Sequence, residues 1–185
     1  MSRAIFVTFG ADEYMKADPR YKALFPFWLK YIAKAKDYFD QLFIIDSDWG
    51  FTINDLDLLD QQIGKGKYLI EVYHSYRKHW ENLNYAKEIH YDQILFLDND
   101  TIIYDPEVIK ENFESLERMA GAIGILDSSG KFDLPILSPL DNTPFRGRRF
   151  RLAPYLTFIS KIALDVTDKD FTPKRFNAGF SIPEL

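Results

Sequence analysis

Short apolar runs alternate with amphipathic stretches through the first two thirds of the chain. The apolar runs have the length and composition of buried strands, and they comprise residues 4–8, 42–45, 68–72 and 94–97. The intervening stretches carry apolar residues at helical spacing, and they comprise residues 20–36, 54–63 and 78–90. Strands that are apolar on both faces and separated by helices predict an α/β protein, with a mostly parallel sheet and helices on both faces.

The helix predicted over residues 20–36 has one apolar face. Its apolar residues recur at the spacing i, i+3, i+4, i+7 and i+8, and they are Leu24, Phe27, Trp28, Tyr31 and Ile32. This spacing predicts that all of these side chains pack against the sheet.

The helix predicted over residues 54–63 follows a polar cap and ends at a glycine. We expect Asn54 or Asp55 to supply the cap, because both residue types accept hydrogen bonds from the first turn of a helix. Leu58 and Leu59 lie on its apolar face, and Gly64 ends it.

Polar residues follow three of the predicted strands. They occupy residues 8–12, 46–48 and 98–100. In open parallel sheets, ligands bind beyond the carboxyl ends of the strands. We therefore expect these three segments to meet at one edge of the sheet, which is the predicted site.

The pattern changes after residue 106. We predict a helix over residues 106–119, a small-residue strand over residues 121–126 and a further strand over residues 155–160. Residues 128–154 are rich in proline and predict a long irregular loop, and loops of that length in compact domains are usually functional.

Asp98, Asn99 and Asp100 form an Asp-x-Asp motif directly after the fourth predicted strand. The two carboxylates can present hard oxygen ligands to Mg²⁺ or Mn²⁺, and such cations often complete their coordination with substrate phosphates. A cation held there stabilises negative charge on a departing diphosphate. We therefore interpret Asp98 and Asp100 as candidate metal ligands.

Two other acidic triplets have a different interpretation. Asp55 and Asp57 belong to the start of a predicted helix, where carboxylates complement the helix dipole. Asp46 and Asp48 end a strand, and we interpret Asp46 as a polar group that contacts the base or the ribose of a nucleotide.

Two motifs stand out in order along the chain. The first is Val7-Thr8-Phe9 with Tyr14 downstream, and the second is Phe96-Leu97-Asp98-Asn99-Asp100-Thr101. Together they resemble the GT-A class of nucleotide-sugar glycosyltransferases, and most of all the retaining group that contains glycogenin and the bacterial lipopolysaccharide galactosyltransferases. Phe176-Asn177-Ala178-Gly179 resembles a later Phe-Asn-Ala/Ser-Gly motif of that group. The resemblance covers residues 4–110 and then only this last motif.

The resemblance implies a GT-A (Rossmann-like) fold and a metal-dependent hexosyltransferase. Such an enzyme moves a sugar from a nucleotide-sugar donor, here most closely a UDP-sugar, to an acceptor hydroxyl on a carbohydrate, a lipid-linked acceptor or a protein. The implied cofactor is Mn²⁺ or Mg²⁺, held by Asp98 and Asp100. The residues implied to contact the nucleotide are Thr8, Phe9, Asp12, Tyr14 and Asp46. The residues implied to contact the sugar or the diphosphate are Asn84, Lys87, Asn99 and Asn177, with Asn82 as a further candidate and no residue assigned as catalytic.

The chain departs from that group in two respects. His74, His79 and His90 all precede Asp98, whereas the group supplies a third metal ligand from a His near its C-terminus. The chain also ends where the group continues into its acceptor-binding part. We expect residues 1–185 to form one domain with a nucleotide-binding half over residues 1–110 and a short or missing acceptor part, either as a fragment or as a minimal enzyme.

Composition narrows the classes of function. The 185 residues are 46% hydrophobic, which suits one domain with a packed core. The absence of cysteine excludes disulfides, thiolate zinc sites and cysteine nucleophiles. A formal charge of -5 argues against a general nucleic-acid binder. No apolar run approaches the roughly 18 residues that span a bilayer, so we expect a cytoplasmic protein without a transmembrane segment.

Other functions stay open at the level of sequence. One is a degenerate domain that binds a nucleotide sugar without turnover. Another is a haloacid-dehalogenase-type phosphatase, whose Asp-x-Asp-x-Thr loop the segment Leu97–Thr101 resembles, although Ile102 stands where the Thr should be. The arginines between residues 146 and 151 could clamp a diphosphate, or they could belong to a solvated loop.

Overall fold

A six-stranded sheet with helices on both faces forms the body of the computed structural model. The structure describes residues 1–18, 20–77, 79–118, 121–127, 136–137, 144–145 and 151–166. The strands are β1 (Arg3–Gly10), β2 (Gln41–Ser47), β3 (Tyr68–Tyr73), β4 (Gln93–Asp98), β5 (Ala122–Asp127), β6 (Ile136–Leu137), β7 (Pro144–Phe145) and β8 (Arg151–Ser160). The helices are α1 (Glu13–Ala17), α2 (Leu24–Ile32), α3 (Ile53–Gln62), α4 (His79–Tyr85), α5 (Glu107–Glu117) and α6 (Lys161–Val166). Short 3-10 turns cover Tyr21–Ala23, Ala33–Tyr38 and Ala86–Glu88.

The strand order of the large sheet is β3-β2-β1-β4-β8-β5. The first four strands in this order pair in parallel, whereas β8 runs antiparallel to both β4 and β5. The predicted α/β class with a mostly parallel sheet is therefore confirmed. Strands β6 and β7 pair with each other in a separate two-stranded sheet, inside the segment that was expected to be irregular.

The buried side chains divide between the two faces of the sheet. Val7 and Phe9 of β1 pack with Trp28 of α2 in the larger cluster. Phe6 of β1 packs with Ala86, just after α4, in the smaller cluster. Successive side chains of a strand point to opposite faces, so β1 contributes alternately to the two clusters. We call the two sides of the sheet the α2 face and the α4 face.

The apolar face of α2 is rotated from the predicted one. Its buried residues are Phe25, Trp28, Leu29 and Ile32. Phe27 is 47% exposed, so the prediction that it packs against the sheet is wrong. Phe25 starts the buried i, i+3, i+4, i+7 stripe, which leaves Phe27 edge-to-face against the half-buried Tyr31 on the outer surface.

Helix α3 begins with a capping box two or three residues earlier than the expected cap. The Thr52 side chain accepts a hydrogen bond from the Asp55 backbone N–H, and the Asp55 carboxylate accepts one from the Thr52 N–H. Thr52 is therefore the cap instead of Asn54 or Asp55, while Asp55 lies in the first turn as expected. Gly64 follows the helix with a φ of +111° in the left-handed region, which a residue with a side chain adopts only under strain.

Among the described residues, no helix is long and apolar enough to cross a lipid bilayer.

Strand β3 lies at one edge of the sheet and is tied to α3 by a side-chain hydrogen bond. The Tyr68 hydroxyl donates to the Asp60 carboxylate at 2.7 Å. Burial, with a smaller contribution from the Asp60 carboxylate, raises the pKa of Tyr68 to about 12. The folded protein thus retains the Tyr68 proton at pH values where the unfolded chain, with a tyrosine pKa of about 10, releases it.

This raised pKa predicts a defined loss of stability at high pH. The stabilising contribution of Tyr68 is complete below pH about 10 and is lost as the pH rises towards 12. We expect the difference in the free energy of unfolding between the wild type and Tyr68→Phe to be constant up to pH about 9 and then to shrink. Urea denaturation at a series of pH values measures this difference in the free energy of unfolding. A difference that stays constant to pH about 12 contradicts a raised pKa for Tyr68.

Candidate functional site

The three polar segments meet at one edge of the sheet, as predicted. Strands β2 and β4 flank β1 and run parallel to it, so all three end on the same side. In the register of these pairs, Thr8 lies opposite Asp98 and Phe9 lies opposite Asp46. The edge thus combines residues from three separate parts of the chain.

The strands direct these residues to different faces. Thr8 follows Phe6 by two residues and Asp98 follows Phe96 by two, so both lie on the α4 face with the smaller core cluster. Asp46 lies in register with Phe9, on the α2 face. The candidate nucleotide residues therefore belong to two chemically distinct halves of the site.

The Asp46 carboxylate organises the loop between β2 and α3. It is only 3% exposed and accepts hydrogen bonds from the backbone N–H groups of Trp49, Gly50 and Phe51, at 2.8, 3.2 and 3.3 Å. These bonds occupy both carboxylate oxygens. Asp46 thus anchors the loop, and its contact to the base or the ribose stays a prediction.

The Phe9 ring is part of the aromatic core. It makes edge-to-face contacts with four neighbours at centroid distances of 5.2 to 5.5 Å, and these are Phe25, Trp28, Trp49 and Phe51. The ring is fully buried by these neighbours. The prediction that its side chain lines the nucleotide pocket is therefore wrong, since an apolar ring at that strand position faces the core on the α2 side.

Two lysines hold the same loop from outside. The Lys22 ammonium donates to the carbonyl oxygens of Trp49 and Gly50 at 2.5 and 2.6 Å. The Lys16 ammonium forms an ion pair with Asp48 at 2.5 Å, and Asp48 has a φ of 64°. Neither lysine is recognisable from the sequence as part of the site, because their partners lie far away in the chain. The Gly at position 50, with its positive φ of 72°, is the one local signal of this turn.

A cavity of about 370 Å³ opens between this loop and the end of β3. Its lining residues are Asp46, Asp48, Gly50, Phe51, Leu56, Ile70, Val72, Tyr73 and His74. We call it the β3 cavity. Its walls are mainly apolar, with a few polar groups, and its volume falls at the lower end of the range for small-molecule sites. The cavity is not predictable from the sequence, because only the topology brings β3 beside the loop after β2.

The Asp-x-Asp motif forms a turn at the end of β4. The Thr101 N–H donates to the carbonyl oxygen of Asp98 at 3.1 Å, which closes a four-residue turn. Asp98 and Asn99 are half-buried, whereas Asp100 is exposed. Within the described part of the chain, no group of three or more His, Asp or Glu side chains could hold a metal ion. Carboxylate oxygens nevertheless suit Mg²⁺ and Mn²⁺, which take further ligands from phosphates and water.

The first loop contributes a capped helix to the edge of the site. The Asp12 carboxylate accepts a hydrogen bond from the Met15 N–H at 2.8 Å and caps α1. Tyr14, on the same helix, is 89% exposed. The ion pair between Lys16 and Asp48 ties this helix to the loop after β2. Asp12 and Tyr14 stay predicted nucleotide contacts, and Tyr14 is free to stack on a ligand.

The predicted contacts from the region of α4 have different environments. Asn82 is fully buried, and Asn84 is half-buried. Lys87 lies in the 3-10 turn Ala86–Glu88, and its side chain lies outside the described part of the structure. Asn177 and the arginines from 146 to 149 also lie outside the described residues, so their predicted roles are untested.

Known structures with similar folds bind nucleotide sugars or make nucleotide conjugates. S. aureus TarS in complex with UDP-GlcNAc superposes with a TM-score of 0.59 at 15% identity, over 92% of this chain and 48% of that chain. The Pyrobaculum calidifontis mannosyltransferase PcManGT, in complex with GDP-Man and Mn²⁺, gives 0.56 at 13% identity over 89% and 46%. The 4-diphosphocytidyl-2C-methyl-D-erythritol synthase of Anaerococcus prevotii gives 0.50 at 13% identity over 86% and 71%.

These similarities establish the fold, which is of the GT-A (Rossmann-like) type. No protein-family profile and no curated protein sequence matches the chain. The chain spans about half the length of the two glycosyltransferases. At 13–15% identity, these similarities extend to the fold alone.

The anchoring role of Asp46 gives a testable difference in stability. Asp46→Ala leaves three backbone N–H groups without their acceptor, and we expect it to lower the free energy of unfolding by about 3 kcal/mol. Asp48→Asn is the matched control, because it removes only a partly exposed ion pair, which should contribute less than about 1 kcal/mol, and keeps a residue type that tolerates the φ of 64°. Urea denaturation compares the two variants, and equal losses of stability contradict the anchoring role.

Proposed function

We propose that this chain is the nucleotide-sugar-binding part of a metal-dependent glycosyltransferase. The observation that carries the proposal is the position of Asp98 and Asp100 at the carboxyl end of β4, beside the end of β1, in a GT-A-type sheet. An acidic surface repels a diphosphate. Two carboxylates at that edge can instead attract it, because they can share a divalent cation with the diphosphate.

The carboxylates of Asp98 and Asp100 would hold Mn²⁺ or Mg²⁺, with phosphate oxygens and water as the other ligands. Bound there, the cation supplies charge stabilisation for a departing nucleoside diphosphate. The Asn99 amide, in the same turn, would donate a hydrogen bond to the diphosphate. PcManGT, which has a similar fold, was solved with Mn²⁺ and GDP-Man, and this supports the choice of cation class.

The base of the nucleotide would enter the β3 cavity. The cavity is large enough for a planar heterocycle, and apolar walls formed by Leu56, Ile70 and Val72 suit its faces. From there the ribose and the diphosphate extend across the ends of β2 and β1 towards Asp98. Asp12 and Tyr14 close the site from the side of α1.

We extend the proposal to the donor and the acceptor of the reaction. We propose a UDP-sugar as donor and the retaining, glycogenin-like group as the nearest relatives, on the motifs around Thr8 and Asp98. The acceptor hydroxyl belongs to a carbohydrate, a lipid-linked acceptor or a protein, and not to a nucleic acid. Asn84, Lys87 and Asn177 are proposed contacts of the transferred sugar.

Removing both carboxylates tests the metal assignment. We expect Asp98→Ala/Asp100→Ala to abolish Mn²⁺-dependent binding of UDP, because the cation that bridges protein and diphosphate loses its ligands. Titration calorimetry with UDP, in the presence of Mn²⁺ and again in EDTA, measures the effect. The control is Asp37→Ala/Glu114→Ala, which removes two exposed carboxylates, one shortly before β2 begins and one in the second half of α5, and should leave the affinity unchanged.

An unchanged affinity of the Asp98/Asp100 variant for UDP and Mn²⁺ would rule out the metal site. The products of a reaction with labelled UDP-GlcNAc separate the remaining alternatives. Release of UDP with a labelled sugar on water or an acceptor supports a transferase, and binding without turnover supports a degenerate domain. Release of pyrophosphate from a nucleoside triphosphate and a sugar phosphate would instead indicate a nucleotidyltransferase, the activity class of some proteins with this fold. An aspartyl phosphate on Asp98 would indicate the phosphatase.

A further inference from the structure

A row of aromatic rings lies on the solvent side of α2. The Tyr31 ring makes edge-to-face contacts with Phe27 and with Tyr104, at centroid distances of 5.2 and 5.1 Å. Phe27 is 47% exposed and Tyr104 is 70% exposed. Single exposed apolar residues are common on protein surfaces, whereas contiguous apolar patches are less common and mark interaction sites. This row of rings is therefore a candidate interaction surface.

Two lysines interleave with these rings along the same stripe. Lys30 and Lys34 stand three and seven residues after Phe27, and Tyr31 stands four residues after it, which is the spacing of one helix face. Both lysines are exposed, and the Lys34 ammonium lies 4.7 Å from the centroid of the Tyr31 ring. We call Phe27, Lys30, Tyr31, Lys34 and Tyr104 the α2 outer surface.

The segment that carries most of this surface is basic, although the protein is acidic. Residues 20–36 contain five basic residues and no acidic one, whereas the whole chain has a formal charge of -5. Lys22 of this segment is bound to two carbonyl groups of the loop after β2. Among the described residues, no acidic side chain forms an ion pair with Lys30 or Lys34. These two ammonium groups can therefore attract an anionic partner.

The acidic residues beside Tyr104 have partners within the protein. The Asp105 carboxylate accepts a hydrogen bond from the Glu107 N–H at 3.0 Å. The Glu107 carboxylate accepts hydrogen bonds from the Tyr38 hydroxyl and from the Lys110 ammonium. Because Lys110 offsets the charge of Glu107, the two lysines of the α2 outer surface outweigh the remaining charge of Asp105.

The combination of rings and lysines fits the surface of an anionic lipid bilayer. Tyrosine is enriched at the level of the headgroups, where its ring is apolar and its hydroxyl stays hydrated. Lysine ammonium groups reach the headgroups while their methylene stems cover apolar surface. Lysine is depleted at protein–protein interfaces, so lysines interleaved with rings favour lipid over a protein partner. A nucleic acid fits less well, because Lys34 covers one face of the Tyr31 ring on which a base would stack.

We propose that the α2 outer surface docks the protein on a bilayer that contains anionic lipids. The rings of this surface enter the headgroup layer, and its two ammonium groups bind lipid phosphates. Helix α2 connects two parallel strands and runs opposite to them, so it begins at the carboxyl edge of the sheet. Tyr104 follows Asp100 by four residues. The docked membrane thus lies beside the candidate site and favours a lipid-linked acceptor, and this last step alone rests on the proposed function.

Co-sedimentation with vesicles tests the docking. We expect the wild type to bind vesicles made of equal parts of phosphatidylcholine and phosphatidylglycerol in low salt. Binding should be much weaker in about 0.5 M salt and to vesicles of phosphatidylcholine alone. Lys30→Gln/Lys34→Gln should weaken binding about 25-fold, at roughly fivefold for each lysine near the lipid surface. Phe27→Ser/Tyr104→Ser should weaken it about tenfold, because fewer rings enter the headgroup layer.

The matched control is Lys65→Gln/Arg118→Gln. It removes the same charge from two exposed residues outside the α2 outer surface, one in the loop after α3 and one directly after α5. We expect this variant to bind the vesicles as the wild type does. All of the substituted side chains are partly or fully exposed, so Tm should stay near that of the wild type in every variant.

Several outcomes would overturn the docking. They are no binding of the wild type to anionic vesicles, wild-type binding in the lysine variant, and equal losses in the lysine variant and the control. Wild-type binding in the aromatic variant also overturns it, because the rings then stay outside the membrane. The vesicle assay contains no nucleotide, so its result is distinct from a failure of the proposed function, which titration with UDP and Mn²⁺ detects.

Discussion

Parallel, in-register pairing of β1 with β2 and with β4 is the constraint on which the rest of this structure depends. It brings three distant segments to one edge, and it assigns each side chain to a face by the alternation of the strands. The side chains of Phe9 and Asp46 therefore lie on the α2 face, while those of Thr8 and Asp98 lie on the α4 face. A register shift of one residue in β1 would exchange these roles and would bury Thr8 in the aromatic core.

The two faces of the sheet contribute different features to the same edge. On the α2 face, Asp46, Lys22 and the Trp49 ring hold the loop after β2 rigidly against the core, and the β3 cavity is formed beside that loop. On the α4 face, the buried polar atoms of Thr8 and Asn82 have no partner within the described part of the chain, and they lie near a half-buried carboxylate. Rigid support beside unsatisfied polar atoms is typical of sites whose binding groups are arranged before the ligand arrives.

Much of the fold could be predicted from the sequence, because long apolar runs and helical spacing are strong local signals. Of the site, only the residues at the strand ends could be predicted. Because the carboxyl ends of parallel strands meet at one edge, Asp98, Asp100 and Thr8 were expected to lie together. The packing of Phe9 in the aromatic core and the anchoring of a loop by Asp46 could not be predicted. The pattern of apolar residues in a strand does not show on which face of the sheet a residue at its end lies. The bonds of Lys22 depend on carbonyl groups in a distant segment, and a single sequence carries no signal for such pairs.

Paramagnetic broadening of backbone amide signals by Mn²⁺, with UDP present and with Mg²⁺ as the diamagnetic reference, tests the central claim most directly. The effect falls steeply with distance from the cation, so it locates the metal on the fold. With the metal at Asp98 and Asp100, we expect the strongest broadening at Asp98–Thr101 and the end of β1. We expect little effect at Gln93, at the other end of β4. Broadening centred on Asp55 and Asp57, or spread evenly over the acidic surface, would contradict it.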